Sequence, residues 1–192
     1  MEANYFRVIK SEIRILGVDD GKFAPHTEGV VNVVGVVFRG GLWLDGVMHT
    51  TIAIDGFDAT EQIASMINSS PHCKQLRIVM LSGITFGGFN IVDLKKLNSA
   101  TKLPVIALTR DKPDLEAVRK ALSNLSKPGE RWNMILAAGE IHEVLCRGKK
   151  IYMELAGLSE SDAREIVVLA STRSSFPEPL RVAHLIASGT SP

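Results

Sequence analysis

The 192-residue chain reads as an α/β protein: a mixed sheet of three antiparallel strands followed by parallel strands, with helices on both faces. Two observations carry that reading. Before residue 55 the apolar residues fall in β-branched, glycine-bounded runs, whereas after residue 58 such runs alternate with stretches of helical period. With 45% hydrophobic and 22% charged residues the chain is long enough for one well-buried core, so residues 1–192 are expected to form a single domain.

The first strand is expected at 13–19, "IRILGVD", and "GKFAPHTEG" behind it supplies the Gly, Pro and Thr of a loop. "VVNVVGVVF", 30–38, is bounded by Gly29 and Gly40, and Arg39-Gly40-Gly41 turns it into "LWLDGVMHTTIAI", 42–54. The first three strands therefore form an antiparallel meander. At Asp58 the period changes. Asp58 with Glu61 three residues later is a capping-box pattern, and Ile63, Met66 and Ile67 follow at helical spacing. The next strand is "QLRIVML", 75–81, followed by a helix near 90–100, a strand at 104–109 and a helix near 114–124. Strand–helix–strand succession implies parallel neighbours joined by right-handed crossovers. Residues 131–138 read as helix, and "EIHEVLC" with "KKIYMELA" as a peripheral strand pair. "SESDAREIVVLAS", 159–171, is an amphipathic helix opened by Ser159, and "FPEPLRVAHLIAS" a last helix with Pro179 in its first turn. The order β-β-β-α-β-α-β-α is that of a ribonuclease H-like sheet, though other mixed sheets share it.

Net charge is +1, so no overall field speaks for or against nucleic acid. The distribution is uneven: Lys95 to Arg131 holds nine Lys/Arg against four Asp/Glu, while the first 94 residues hold seven against ten. A basic segment beside an acidic one suits phosphate binding next to a metal pocket; solvated helical faces give the same pattern. Cys73 and Cys146 lie far apart with no CxxC spacing, which points away from a disulfide framework or a structural zinc. No apolar run reaches 18 residues, and a soluble, cytoplasmic protein is expected.

In an open sheet, groups at the carboxyl ends of parallel strands converge on one crevice. Three such ends stand out: Asp19, Asp55 and Ser82-Gly83. Adjacent strands lie about 4.8 Å apart, which suits the roughly 3.5–4 Å between the ions of two-metal phosphodiester chemistry. Aspartate is the short anionic donor that Mg²⁺ favours. Plainer roles exist for each. Asp19-Asp20 ahead of Gly21 and Asp55 ahead of Gly56 suit turns, and strand alternation sends Asp19 and Asp20 to opposite faces. "LSGITFGGFN" offers Gly83, Gly87 and Gly88 for close backbone approach to a phosphate or base, yet it matches neither a P-loop nor a dinucleotide fingerprint. A tight loop suits it equally. His184 is a lone helical histidine, His26, His49, His72 and His142 show no ligand spacing, and Ser82 has no Ser–His–Asp pattern around it.

Three stretches resemble the endonuclease V family. "LGVDDGKF" is similar to its "GVD" first strand, "LSGITFGGFNIVDLKKLNSATKLPVIALTR" to the segment that begins "VDG", and "FPEPLRVAHLIAS" to its terminal "PEP.RLA[HD]" motif. Over residues 13–188 the chain resembles an uncharacterised archaeal protein family related to endonuclease V, with the ribonuclease H-like fold. The resemblance implies an endonuclease V-like domain that cleaves DNA or RNA near deaminated adenine with Mg²⁺ or Mn²⁺. By position, Asp19 matches the first metal-binding aspartate and Asp55 falls near the glutamate that opens the family's first helix. His184 matches the His/Asp of the terminal motif, and Arg110 stands where the family has a lysine near the scissile phosphate. Asp19 and Asp55 are thus the expected metal ligands. Asp19, Asp55, Arg110 and His184 are the expected catalytic residues, and Ser82, Gly83 and Arg110 the expected substrate contacts. The chain departs from the family at Ser82, which replaces the aspartate of "VDG", and in "LDGVMHTT", which lacks the aromatic-proline wedge. The first change removes a carboxylate from the metal site, the second a device for capturing a flipped base. A nuclease with an altered metal site is the first expectation; a nucleic-acid or nucleotide binder without hydrolysis, or a protein-interaction role on an inherited fold, are the alternatives.

Overall fold

The computed structural model describes residues 6–24 and 27–191; Pro25 and His26, within the expected loop after the first strand, lie outside the described residues. The first half runs β1 (Arg14–Asp20), β2 (Val30–Arg39), β3 (Trp43–Ala53), α1 (Ala59–Ser69), β4 (Ile78–Leu81), β5 (Thr85–Phe86) and β6 (Asn90–Ile91). The second runs α2 (Leu94–Thr101), β7 (Val105–Thr109), α3 (Leu115–Leu122), α4 (Pro128–Ala137), β8 (His142–Cys146), β9 (Lys149–Ala156), α5 (Glu160–Ala170) and α6 (Glu178–Gly189). Seven strands form one sheet in the order β3-β2-β1-β4-β7-β9-β8. β3, β2 and β1 are the antiparallel meander, and β1, β4 and β7 are parallel. The pair expected at the periphery belongs to this sheet: β9 runs antiparallel to β7, and β8 forms the edge opposite β3. The glycine-rich stretch after β4 folds into the small β5–β6 hairpin.

Strand alternation divides the core. Leu16, Val18, Val79 and Leu81 face Ile63, Ile67 and Leu97 of α1 and α2, while Ile15, Ile78 and Met80 face Ile166, Val167 and Leu180 of α5 and α6. β2 is buried on both sides, with Val33 and Val37 in the first layer and Val34 and Val36 against Ala183 and Ala187 of α6. That double burial explains its continuous β-branched run.

The capping box at Asp58 does not form. Asp58 occupies the N-cap position of α1, but its carboxylate accepts from Ala53 N–H (3.1 Å) and Asn90 Nδ2 (2.6 Å). Asn90 Oδ1 takes over the cap, accepting from Ala59 N–H at 2.9 Å, and Glu61 pairs with Lys96. A short acidic side chain beside an unpaired strand-end amide had a nearer partner than the helix.

Gly17 sets the position of α6. A Cβ there would lie 2.4 Å from the backbone carbon of Pro179, so only glycine lets the first turn of α6 rest on β1. Gly17→Ala is expected to push α6 outward and cost about 1–3 kcal/mol, read as a fall in the urea midpoint without a change of slope.

Candidate active-site crevice

Alternation in β1 turns Asp19 toward α6 and Asp20 toward the opposite layer. Asp19 is 5% exposed, and its Oδ2 lies 3.0 Å from Nδ1 of His184 on α6. Its Oδ1 accepts from the Asp20 N–H at 3.0 Å. Burial, then the neighbouring Asp20 charge, push the Asp19 carboxyl up to about 7; the Asp20 N–H and His184 pull the other way. Asp20 reaches across to the glycine loop, where its Oδ2 accepts from Gly87 N–H at 2.6 Å. Burial raises this carboxyl also, against the Gly87 hydrogen bond.

Asp19, Ser82, Arg110, Asp111, Arg181 and His184 line one cleft of about 450 Å³ at the carboxyl ends of β1, β4 and β7. Four residues singled out in the sequence therefore share a site. Arg110 stacks its guanidinium 4.2 Å from the centre of the Phe176 ring. Arg181 is held by Glu178, which is 2% exposed, through Nη2–Oε2 at 2.7 Å and Nε–Oε1 at 3.0 Å. That pairing raises the Arg181 pKa, first through the Glu178 hydrogen bond. Neither Arg181 nor Asp111 stands out in the sequence; the spacing of three between Glu178 and Arg181 on a helix is the signal that points to the first.

Asp55 is placed elsewhere. It lies in the turn just after β3, and β2 stands between β3 and β1, so the strand spacing relevant to Asp19 is doubled, to about 10 Å. The Asp55 backbone adopts φ +50°, and its Oδ1 accepts from Phe89 N–H at 2.8 Å, tying the β3 end to the glycine loop. Gly83, at φ +82°, borders a second cavity next to the cleft rather than the cleft itself.

The donors fit one hard cation and not a carboxylate-bridged pair. A carboxylate has about four lone-pair sites, so the two hydrogen bonds to Asp19 leave room for a cation. Among the described residues no three His, Cys, Asp or Glu side chains converge as a metal cluster. Mg²⁺ is commonly held by one or two carboxylates, with water and substrate phosphate completing its shell.

The sheet order and the crevice at the carboxyl ends of its parallel strands define a ribonuclease H-like α/β fold, the fold also seen in endonuclease V. Residues 11–191 match the endonuclease dU family, and the chain belongs to it. A UPF0215 protein of Methanothermobacter thermautotrophicus is 54% identical over 190 residues, covering 98% of this chain and 93% of the relative. The crystal structure of an Archaeoglobus fulgidus protein superposes with TM-score 0.83 at 40% identity, over 92% of this chain and 97% of that one. Endonuclease V of Ciona intestinalis, solved with an inosine-containing DNA, matches with TM-score 0.59 at 13% identity, over 89% and 82% of the two chains. At that identity the likeness is one of fold. Among the described residues no helix is long and apolar enough to cross a membrane.

Proposed function

We propose that the chain is a nucleic-acid endonuclease acting at a deaminated base, with the Asp19–His184 crevice as its active site. The observation that carries this reading is the buried Asp19 carboxyl, 3.0 Å from the His184 imidazole in a cleft that also holds Arg110 and Arg181. The two guanidiniums neutralise a scissile phosphate and the charge that grows on it during displacement. His184, anchored through Nδ1 to Asp19, presents Nε2 to position a water and accept its proton. Asp19, with His184 beside it, would hold one Mg²⁺ or Mn²⁺, which when bound supplies charge neutralisation and a more acidic water. Membership of the endonuclease dU family makes deoxyuridine in DNA the first substrate class to test.

Binding without hydrolysis is a second reading. It is favoured by the hydroxyl of Ser82 at the end of β4 and by the engagement of Asp55 with Phe89. One experiment separates the two: DNA and RNA strands carrying a single deoxyuridine or inosine are incubated with Mg²⁺ or Mn²⁺, and nicking and salt-dependent binding are both measured. Ion-dependent nicking at the modified position is expected. Salt-dependent binding without nicking supports the second reading, and absence of both overturns each.

A further inference from the structure

The second cavity, about 300 Å³, shares Ser82, Thr109 and Asp111 with the active-site crevice. Ile84, Leu115, Val118 and Ile135 make it largely apolar, and Glu154 of β9 lines it among them. Glu154 sits opposite Ala107 of β7, whose small side chain leaves the space open. It is 7% exposed, and no hydrogen bond or ion pair joins its carboxyl to another described residue. The charged groups that share the cavity lining with it are Asp111 and Lys112, both exposed. A buried polar group without a partner is costly, and a charged one more so. Burial accordingly pushes the Glu154 carboxyl up to about 7. In its acid form such a group carries one O–H donor, as an apolar ligand pocket needs for specificity.

We propose that Glu154 is the recognition group of a base pocket, its carboxyl O–H donating to a carbonyl oxygen of an uncharged base on the strand whose phosphate lies in the crevice. This assignment rests on the nucleic-acid reading above. The shared wall of Ser82, Thr109 and Asp111 lets one nucleotide reach both spaces. The cavity lies at the lower end of ligand-pocket sizes, roughly 300 Å³, which suits a single base rather than a longer segment.

The test compares binding of two otherwise identical DNA strands, one with a single deoxyuridine and one with an abasic analogue at that position. Wild-type protein is expected to prefer the base-bearing strand by at least about tenfold near pH 6, as a hydrogen bond in a dry pocket would give. That preference should decline as pH rises through about 7, where the donor is lost. Glu154→Gln, which keeps an N–H donor, should retain the preference and lose its pH dependence; Glu154→Ala should bring the two strands level. An unchanged preference in Glu154→Ala, or its loss in Glu154→Gln with the melting temperature intact, overturns the assignment while the abasic strand still reports nucleic-acid binding. If wild type binds neither strand, the functional reading falls and the pocket assignment with it.

Discussion

Arg131→Ala should lower stability by about 3–5 kcal/mol, the range seen when a buried charged hydrogen-bonding group is removed and its partners are left behind. Arg131 is 1% exposed in α4. Its guanidinium donates to the carbonyls of Ser126 and Gly56 at 3.0 Å and to those of Phe89 and Asp55, with the Phe57 ring stacked 4.0 Å away. One side chain thus ties α4 to the end of β3 and to the glycine loop. Removing it strands four backbone acceptors in a place water cannot readily fill. For a chain of this size the loss corresponds to a fall in Tm on the order of 10 °C. Arg131→Lys should recover only part of it, because an ammonium cannot reproduce the planar fork that reaches separate carbonyls. Thermal unfolding of the three proteins distinguishes this from simple loss of volume: full recovery by lysine would assign the effect to charge alone.

Glu154→Gln should instead stabilise the protein, and only above acid pH. The folded carboxyl is raised from the ordinary 4.5 to about 7 by burial. Between those values the folded chain keeps a proton that the unfolded chain has released, so wild-type stability falls as pH rises through that window. Above about 7 both states are ionised and the folded state bears the full burial cost. At roughly 1.4 kcal/mol per pH unit the deficit is about 3 kcal/mol, and glutamine, which does not titrate, escapes it. Denaturant melts of both proteins at pH 4 and pH 8 should coincide in relative stability at the first and diverge at the second. A constant difference at both would show that the carboxyl is not desolvated in the folded state.

Much of this molecule is legible in its sequence. The β-branched runs, the change of period at Asp58 and the alternation of strands with helices lead to the meander and its parallel continuation, and the terminal helix brings His184 to Asp19. Strand phase alone separates Asp19 from Asp20. What periodicity does not convey is which strands are neighbours. Asp55 looks like a partner of Asp19 because both end strands, yet β2 lies between them. Glu154 is hidden for a related reason: a single acid in "YMELA" reads as an edge-strand charge until β9 is seen to pair with β7. Arg131 and Asp58 look like an exposed helical cation and an ordinary cap. Three of the four carbonyls that hold Arg131 are distant in sequence, and backbone groups leave no residue pattern to read; Asp58 is claimed instead by the Ala53 N–H and by the side-chain amide of Asn90, which only the fold brings to it.

The central claim is that chemistry is centred on the Asp19–His184 pair, and single-turnover nicking of a deoxyuridine-bearing strand by wild type, Asp19→Asn and His184→Ala tests it most directly. Loss of a general base or of a metal-holding carboxylate typically costs on the order of 100-fold or more. Both variants should show at least that loss, with Asp19→Asn melting no lower than wild type because it removes a buried charge beside Asp20. Nicking by Asp19→Asn within about threefold of wild type would contradict the claim and move the search for the reacting groups away from the end of β1.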